Sequence, residues 1–377
     1  MRTLTVQVES HLTESGSEAP FVLDLDHKVG GERTASVGGG PPVIVVCGPG
    51  NSGKSLFSRT LLNTLLKRYK KVGYLDTDVG QPEFNTPGCV SLHIIDKPTH
   101  DLTILCLKTP EKCFFYGDVN CQKDKNVYLN SILSLYDYFH EEFYQPNEIN
   151  DPGRKMMPLV VNTSGWVKGA GYDLLVKMLR HISPTHVVQI RVSAESKNLP
   201  KGLFWLDENH QRSSNSIEIC AAVKDSSSVS MRKDAAHVLR DVRIIAYFRQ
   251  CLPQELAIAT YKDLVRNLAS APAHEISLSR IRVIELHCEG NDNISHSLKA
   301  KIVGLGISTS VPPSPANASS NCVGLGFVRA EDVSKDLMYV ITPVPLRILE
   351  KVDIILKGCI EAPACLLQVQ EIDATDS

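Results

Sequence analysis

The strongest constraint on the fold is the octapeptide GPGNSGKS at residues 48–55. It matches the pattern G-x-x-x-x-G-K-[ST] and stands between the apolar, β-branched run VIVVC and the helix-like segment SLFSRTLLNTLLKRY. This context matters because backbone N–H groups of the loop and the N-terminus of the helix can then close around phosphate oxygens. The sequence therefore predicts a strand, a phosphate-binding loop and a helix in succession.

The pattern assigns chemical roles to single positions. Lys54 is expected to bridge the β- and γ-phosphates of ATP, and the Ser55 hydroxyl is expected to bind Mg²⁺. Contacts to the nucleotide are expected along the whole loop, at Gly48, Pro49, Gly50, Asn51, Ser52, Gly53, Lys54, Ser55 and Leu56. The alternative is a plain glycine turn that opens a helix, and the flanking strand argues against it.

Segments typical of buried strands alternate with helical segments after the loop. KVGYLDTD, MPLVVNTSGW and THVVQIRV have strand character, and the amphipathic segment GYDLLVKMLRHI separates the last two. This alternation predicts an α/β fold with a doubly wound, mostly parallel sheet that helices cover on both faces. In such a sheet the functional residues lie at the carboxyl ends of the strands.

Composition and hydrophobic patterning divide the chain into three segments. The short strands near the C-terminus, broken by turns, predict a smaller β-rich domain, and the repeated VGLG within them hints at paired hairpins. The predicted segments are a short N-terminal leader at 1–40, the α/β domain at 41–255 with an insertion or lid region at 193–250, and the β-rich domain at 256–377.

Charge, apolar content and cysteine spacing exclude several classes of protein. The formal net charge of −2 gives no overall attraction to nucleic acid or to an anionic membrane, so any RNA contact must be local. No stretch approaches the roughly 20 apolar residues of a membrane span, so no membrane association is expected. The eleven cysteines form no C-x-x-C pair and no zinc-ligand spacing, which predicts reduced thiols in the cytosol or nucleus.

Two carboxylates follow the phosphate loop along the chain. Asp76 and Asp78 lie in YLDTDVGQ at the end of the second predicted strand. Alternate strand residues share a face, so the two side chains are expected to project together beside the phosphates. One could hold Mg²⁺ while the other accepts a proton from an attacking hydroxyl. The alternative is a solvated strand end followed by an Asp-containing turn.

Further motifs, in a fixed order along the chain, resemble those of a known family. They are DVGQPEFNTPGCVSL, FFYGDVN, NTSGWVKGAG, VGLGFVR and YVITP. They resemble the nucleolar polynucleotide 5′-hydroxyl kinases of pre-ribosomal RNA processing, and more distantly the RNA kinase of the messenger-RNA cleavage factor. The resemblance implies a P-loop NTPase fold and a kinase that uses ATP and Mg²⁺ to phosphorylate the 5′-hydroxyl end of RNA.

The resemblance also assigns roles around the second strand. Asp78, Gly80 and Gln81 match the family's D-x-G-Q motif. Asp78 is therefore the better candidate for the catalytic carboxylate and metal ligand, Asp76 a supporting residue, and Gln81 a contact to the RNA.

Thr163, Gly165 and Trp166 match the family's T-x-G-W clasp, which holds the RNA end beside the γ-phosphate. An exposed indole at a strand end is a stacking platform for an unpaired base and needs no sequence preference. The alternative for Trp166 is a core aromatic residue that covers the sheet.

The segment RDVRIIAYF resembles the family's lid, which supplies arginines. Arg240 and Arg243 lie three residues apart and would share one face of a helix. An arginine that closes over the γ-phosphate stabilises the charge of the transition state. The choice between Arg232, Arg240 and Arg243 stays open, and the alternative for each is a solvated helix-surface charge.

The same resemblance implies a place of action and a partner. It implies the nucleus and nucleolus as location and the 5′-hydroxyl ends of precursor ribosomal RNA as substrate. It also implies a complex with the endonuclease that leaves those ends, docked through the C-terminal domain. Family members carry a β-rich N-terminal domain that helps to seat the base, whereas residues 1–40 are only weakly patterned.

Two other functions are compatible with the loop alone. A GTPase or transport ATPase would share the loop and the strand-end Asp, but no N/T-K-x-D guanine motif follows the last strands. A non-catalytic scaffold that holds ATP for structure would use the same loop.

Overall fold

A computed structural model describes residues 4–5, 22–23, 40–99, 106–144, 156–206, 214–221, 229–287, 297–308 and 321–368. The chain forms two compact units, each assembled from three ranges. The first comprises Met1–Leu75, His93–Ile104 and Tyr136–Val223, and the second comprises Asp76–Leu92, Leu105–Leu135 and Lys224–Ser377. These units differ from the predicted segments 41–255 and 256–377, because the second unit takes residues 76–92 and 105–135 from the predicted α/β domain.

The elements are numbered in chain order. The strands are β1 (Leu4–Thr5), β2 (Val22–Leu23), β3 (Val43–Cys47), β4 (Val72–Asp76), β5 (Cys89–Ile95), β6 (Lys112–Phe115), β7 (Leu159–Asn162), β8 (His186–Arg191), β9 (Asn215–Cys220), β10 (His274–Ser277), β11 (Arg282–Glu285), β12 (Ile302–Ile307), β13 (Asn321–Asp332), β14 (Leu337–Ile341) and β15 (Ile354–Lys357). The α-helices are α1 (Lys54–Leu65), α2 (Lys125–Phe139), α3 (Ala170–Ile182), α4 (Val229–Arg249), α5 (Tyr261–Ala269), α6 (Leu346–Leu349) and α7 (Ala364–Leu367).

The sheet of the first unit confirms the predicted parallel α/β arrangement. Its strands follow the order β4-β7-β3-β8-β9. β3 pairs in parallel with β7 on one side and with β8 on the other, and β8 pairs in parallel with β9. All five residues of β3 are buried, as an apolar strand in the middle of a covered sheet requires. The phosphate loop therefore leaves the sheet at its centre.

Two helices of the first unit bury an apolar face at helical spacing. In α1 the buried apolar residues are Phe57, Leu61, Leu62 and Leu65, and in α3 they are Leu174, Leu175, Met178, Leu179 and Ile182. α1 contacts β3 and β7, so its buried face covers the strands that carry the loop and the clasp. The spacing of these apolar residues therefore decides which face of α1 lies on the sheet.

Part of the segment predicted as an insertion or lid belongs to the first unit's sheet. Residues 215–220 form β9, which extends the parallel sheet beside β8. Before it, Trp205 is 1% exposed, and its carbonyl accepts a hydrogen bond from Arg180 Nε at 2.8 Å. Residues 207–213 and 222–228 of that segment lie outside the described part of the chain.

The second unit contains the β-rich region that the sequence predicted. Its strands follow the order β11-β15-β12-β13-β6-β5, and β14 pairs with β13 and β10. β12 and β13 are antiparallel, with Val303 opposite Gly326 and Leu305 opposite Gly324. The two VGLG segments therefore lie opposite each other in one antiparallel strand pair, whereas the sequence hinted at paired hairpins.

The core of the second unit joins early and late parts of the chain. Cys89, Cys113 and Phe115 lie in one buried hydrophobic cluster with Leu325 and Phe327. The same strands are linked through the backbone, since β6 pairs with β13 at Phe114 and Asn321. Cys89, Cys113 and Phe115 therefore depend on the C-terminal strands for their packing. Within the described residues, no helix is both long enough and apolar enough to cross a bilayer.

Candidate functional site

The phosphate loop has the backbone shape that its glycines predict. It runs from Cys47, the last residue of β3, to Lys54, the first residue of α1. Gly48 has a φ of 151°, and a Cβ there would lie 2.3 Å from the carbonyl oxygen of Ile190 on β8. Asn51 and Gly53 have φ values of 60° and 90°. Such left-handed residues turn successive N–H groups to one side, which makes an anion-binding concavity.

The inside of the loop fits a phosphate group. Ser52 Oγ is buried and has no hydrogen-bond partner among the described residues. A buried hydroxyl without a partner costs about 1–3 kcal/mol, and a phosphate oxygen would supply the missing acceptor. Lys54 is 6% exposed, and its Nζ donates a hydrogen bond to the carbonyl oxygen of Pro49 at 2.9 Å. By contrast, Leu56 is 52% exposed, so its side chain takes no part in this interior.

The Ser55 hydroxyl is held from a neighbouring strand. Asn162, the last residue of β7, donates a hydrogen bond from Nδ2 to Ser55 Oγ at 3.3 Å. Asn162 was not among the predicted site residues. The available signal was its position at a strand end directly before T-x-G-W. Next to the loop, burial raises the pKa of the Cys47 thiol to about 12, so this thiol is neutral.

The T-x-G-W segment is fastened to the strand that carries the phosphate loop. Thr163 donates twice to the carbonyl oxygen of Val46 on β3, from Oγ1 at 2.9 Å and from its backbone N–H at 3.2 Å. Gly165 then lies against the loop itself, since a Cβ on Gly165 would stand 2.5 Å from Gly50 Cα and 2.7 Å from Gly50 N. The backbones of the predicted clasp and of the phosphate loop are therefore in contact within the first unit.

Trp166 is half-buried in the segment between β7 and α3. Its ring lies over Gly171, where a Cβ would come within 2.5 Å of Trp166 Cγ and Cδ2. The chain has two tryptophans, and Trp205 is the one that lies in the core. The core alternative is therefore wrong for Trp166, and its stacking on RNA stays a prediction.

Asp76 and Asp78 do not project together from a strand, so that expectation was wrong. β4 ends at Asp76, and Asp78 lies in the turn that follows. Asp76 is fully buried and accepts backbone hydrogen bonds from Asp78 at Oδ1 (3.2 Å) and from Glu83 at Oδ2 (2.5 Å). Asp78 Oδ1 accepts from the N–H groups of Gly80 and Gln81 at 3.0 and 3.1 Å. Asp76 thus holds the loop that follows β4, whereas Asp78 forms an Asx turn.

This turn leaves one carboxylate oxygen of the D-x-G-Q motif available. Within the described residues, Asp78 Oδ2 makes no hydrogen bond and no ion pair. Asp78 is half-buried, while Asp76 has no exposed surface. Accessibility therefore separates the two carboxylates in the same sense as the family motif.

The two lid arginines on α4 differ in their contacts. Arg243 Nη1 donates to the carbonyl oxygen of Glu83 at 2.8 Å, so it is fixed to the loop that Asp76 also holds. Arg240 is half-buried and makes no hydrogen bond or ion pair in the part of the chain that the structure describes. Arg232 lies in α4, but its side chain falls outside the described residues.

Metal-ligating groups are sparse. No cluster of three or more His, Cys, Asp or Glu side chains in the described ranges could enclose a metal ion. Mg²⁺ at a nucleotide usually has only one or two protein ligands and otherwise phosphate and water oxygens.

Family models match both parts of the chain. Residues 48–250 match the model of the mRNA cleavage and polyadenylation factor CLP1 P-loop, and residues 269–363 match the NOL9-like C-terminal domain.

Relatives and a solved structure agree with these matches. The Polynucleotide 5′-hydroxyl-kinase NOL9 of Arabidopsis thaliana is 49% identical over 336 residues, which cover 88% of this chain and 89% of that protein. NOL9 of Danio rerio is 30% identical over 87% of this chain, which spans 47% of that relative. The structure of the wild-type Clp1p–Pcf11p complex aligns with 86% of this chain and 75% of its matched chain, at a TM-score of 0.60 and 17% identity.

The solved structure supports the fold, and the Arabidopsis relative decides the family, because its similarity extends over most of both chains. The chain belongs to the NOL9 family of polynucleotide 5′-hydroxyl-kinases.

Proposed function

We propose that this protein transfers the γ-phosphate of ATP to the 5′-hydroxyl end of an RNA. The observation that carries the proposal is the contact between Gly165 and Gly50. It brings the backbone of a segment suited to hold a nucleic-acid end against the loop suited to hold the phosphates. The relatives named polynucleotide 5′-hydroxyl-kinase support the same reaction.

The loop would bind the nucleotide through its backbone N–H groups, with Ser52 Oγ donating to a phosphate oxygen. Lys54 would exchange its contact with the Pro49 carbonyl for the β- and γ-phosphate oxygens, where its charge stabilises the negative charge that moves during transfer. Ser55 is the proposed direct protein ligand of Mg²⁺, and Asp78 is proposed to hold the ion through a water molecule. The bound ion would supply charge neutralisation at the β- and γ-phosphate oxygens.

The D-x-G-Q loop would serve the acceptor. In the proposed reaction the 5′-oxygen forms a bond to the γ-phosphorus, the bond to the ADP oxygen breaks, and the hydroxyl proton passes to Asp78. Asp76 supports this loop through the N–H groups that it accepts. Gln81, which adjoins the Asp78 turn, is proposed to contact the RNA.

Of the two arginines described on α4, Arg240 is proposed as the one that meets the transferring phosphate. Arg243 is engaged with the Glu83 carbonyl, whereas Arg240 has no partner among the described residues. A guanidinium without a hydrogen bond or ion pair can bind a phosphate without first breaking one. Arg243 is proposed to act indirectly, by holding the loop.

The RNA would be held through its terminal base. Trp166 presents part of its indole to solvent, and stacking on an aromatic ring is worth about 1–3 kcal/mol for a base of any type. This mode of recognition suits a protein with a formal net charge of −2, because it needs no extended basic surface.

The setting is proposed from the family resemblance of the sequence motifs. It gives a role in the nucleolus on precursor ribosomal RNA, and the relatives named NOL9 are polynucleotide 5′-hydroxyl-kinases. A complex with the endonuclease that produces 5′-hydroxyl ends is proposed as well. The Clp1p neighbour was solved with the protein Pcf11p, so a protein partner is known for that fold.

One assay tests the reaction against its two alternatives. Purified protein is incubated with ATP labelled at the γ-phosphate and with an oligoribonucleotide that carries a 5′-hydroxyl. Label on the RNA supports the kinase, and release of free phosphate alone supports an ATPase or GTPase. Absence of both, in a protein that binds ATP, supports a scaffold. An oligonucleotide with a 5′-phosphate is the control, and it should accept no label.

A further inference from the structure

Asn162 stands where it can control the metal-binding hydroxyl of the phosphate loop. Parallel pairing puts Val46 of β3 opposite Asn162 of β7, so the end of β7 lies beside the start of the loop. Asn162 is 0% exposed. Its Nδ2 donates to Ser55 Oγ at 3.3 Å, and its Oδ1 accepts from Ser58 Oγ at 3.5 Å.

The two serines lie three residues apart on α1, so the amide spans one turn of that helix. Because the Ser58 hydroxyl donates to Oδ1, the amide nitrogen faces Ser55. The hydroxyl oxygen of Ser55 has two lone pairs, and Asn162 occupies one of them. The second lone pair is left for a cation, and the serine rotamer is fixed.

We propose that Asn162 is a positioning residue that orients Ser55 Oγ toward the magnesium ion of the bound nucleotide. The inference rests on the proposed function, because it concerns the metal-nucleotide complex used in that reaction. A neutral amide at this place orients the hydroxyl without adding charge, so the negative charges around the ion are left to Asp78 and the phosphates.

The test measures nucleotide affinity with and without metal, and so does not depend on turnover. ADP is titrated into the full chain by calorimetry in the presence of MgCl₂ and, separately, of EDTA. The ratio of the two dissociation constants gives the contribution of the metal. In Asn162→Leu this ratio should fall roughly three- to tenfold, the range of one lost hydrogen bond. Affinity in EDTA should stay within about twofold of the original chain.

Asn63→Leu is the matched control. Asn63 is a half-buried amide of the first unit. Its Nδ2 donates a hydrogen bond to the carbonyl oxygen of Thr99 at 2.6 Å, and its Oδ1 accepts one from the Thr99 N–H at 3.0 Å. The same substitution there should leave the metal contribution unchanged. An equal fall in both variants would overturn the proposal, since it would mean that loss of any amide in this unit disturbs the loop.

Asn162→Asp tests orientation without a change of side-chain volume. A carboxylate accepts a hydrogen bond from the Ser55 hydroxyl and leaves the serine lone pairs for the cation, so this variant should recover most of the metal contribution. If Asn162→Leu does not melt like the original chain, Asn162→Ala replaces it, because a smaller side chain introduces no clash.

A double-mutant cycle shows whether Asn162 acts through Ser55. In the Ser55→Ala background, the Asn162 substitution should have no further effect on the metal contribution. An additive effect, or an unchanged ratio in Asn162→Leu alone, would overturn the inference.

Failure of this inference can be told apart from failure of the proposed function. A chain with a normal metal ratio in Asn162→Leu and full RNA phosphorylation refutes only the inference, and a chain with the expected ratio and no RNA phosphorylation refutes only the kinase.

Discussion

At the scale of single residues, three residues at and just after the end of β7 each make a different contact with the strand and loop that precede α1 or with α1 itself. Asn162 contacts the loop serine, Thr163 ties the segment to β3, and Gly165 lies on the backbone of Gly50. Trp166 follows at once and is partly exposed. Because these neighbouring residues make different contacts, substitutions at them should separate nucleotide binding from RNA binding.

Lys54→Ala should nearly abolish phosphoryl transfer while the fold survives. The substitution removes the positive charge for the β- and γ-phosphates and one hydrogen bond to the Pro49 carbonyl. Transfer of labelled phosphate and a thermal melt measure the two effects. Lys67→Ala, an exposed lysine just beyond α1, is the control and should transfer normally. Normal transfer by Lys54→Ala would refute the assignment of the loop.

Trp166→Ala should weaken RNA binding by about 1–3 kcal/mol, or roughly ten- to a hundredfold, with little change in ATP affinity. The loss in stability should stay below the roughly 3–5 kcal/mol of a core aromatic truncation, because the ring is only half-buried. Titrations with RNA and with ATP, and a thermal melt, check the three quantities. Unchanged RNA affinity in a well-folded variant would remove Trp166 from the proposed clasp.

Gly165→Ala should weaken both ligands, in contrast to Trp166→Ala. Its Cβ would stand 2.5 Å from Gly50 Cα, and backbone atoms of the phosphate loop must move to admit it. We expect a fall in ATP affinity of about tenfold or more, which corresponds to roughly 1.4 kcal/mol. Ser164→Ala, the neighbouring substitution that adds no atom, should keep ATP affinity. An intact ATP affinity in Gly165→Ala would mean that the contact between Gly165 and Gly50 does not affect nucleotide binding by the loop.

At the scale of elements, α4 carries two arginines with different contacts. Its Arg243 is anchored on the Glu83 carbonyl, and Arg240, one turn earlier, has no partner among the described residues. Ile244 and Phe248 of the same helix are buried in the hydrophobic cluster of the second unit. The helix is thus fixed by its apolar face, while its two arginines are held to different degrees.

Arg240→Ala and Arg243→Ala should therefore fail in different ways. Arg240→Ala should lower the rate constant at saturating ATP and RNA with little change in melting temperature, because no hydrogen bond or ion pair among the described residues is lost. Arg243→Ala should lower the melting temperature, because the Glu83 carbonyl loses its donor. Steady-state kinetics and thermal melts of both variants make the comparison. A stable Arg243→Ala with the larger loss in rate would reverse the assignment.

At the scale of the whole molecule, the chain does not divide in its middle. The second unit combines residues 76–92 and 105–135 with residues 224–377. Phe115 and Cys113 share a buried cluster with Phe327 and Leu325, and β6 pairs with β13. The D-x-G-Q loop therefore belongs to the same packed unit as the C-terminal strands.

Deletion of residues 270–377 should consequently destabilise the D-x-G-Q loop as well as remove the proposed docking domain. The deletion exposes the apolar faces of Phe115, Ile244 and Phe248, which are buried in the intact chain. We expect poor solubility and rapid proteolysis of the remainder, measured by gel filtration and limited trypsin digestion. A soluble, protease-resistant fragment would contradict this. Loss of a partner from such a deletion would therefore not locate a docking surface, and exposed residues of the C-terminal strands should be substituted instead.

Short sequence patterns were sufficient to predict the elements that depend mainly on interactions between residues close in sequence. VIVVC, the glycine loop and the spaced leucines of α1 predicted a strand, a turn and a helix, since each depends on neighbours within a few residues. Repeated alternation predicted the parallel sheet. The helix α2, KNVYLNSILSLYDYF, was not predicted, because its β-branched and aromatic residues weaken the helical signal.

Long-range packing decided what the sequence left open. The family motif preferred Asp78 over Asp76, but only the structure shows that the first is buried beneath two N–H groups while an oxygen of the second is left available. Trp166 and Trp205 were likewise separated by packing, since burial depends on distant residues that no short pattern contains. The contact of Asn162 with Ser55 joins positions 107 residues apart. The sequence by itself thus determined which chemical groups are present, while the tertiary structure decided which of them meet.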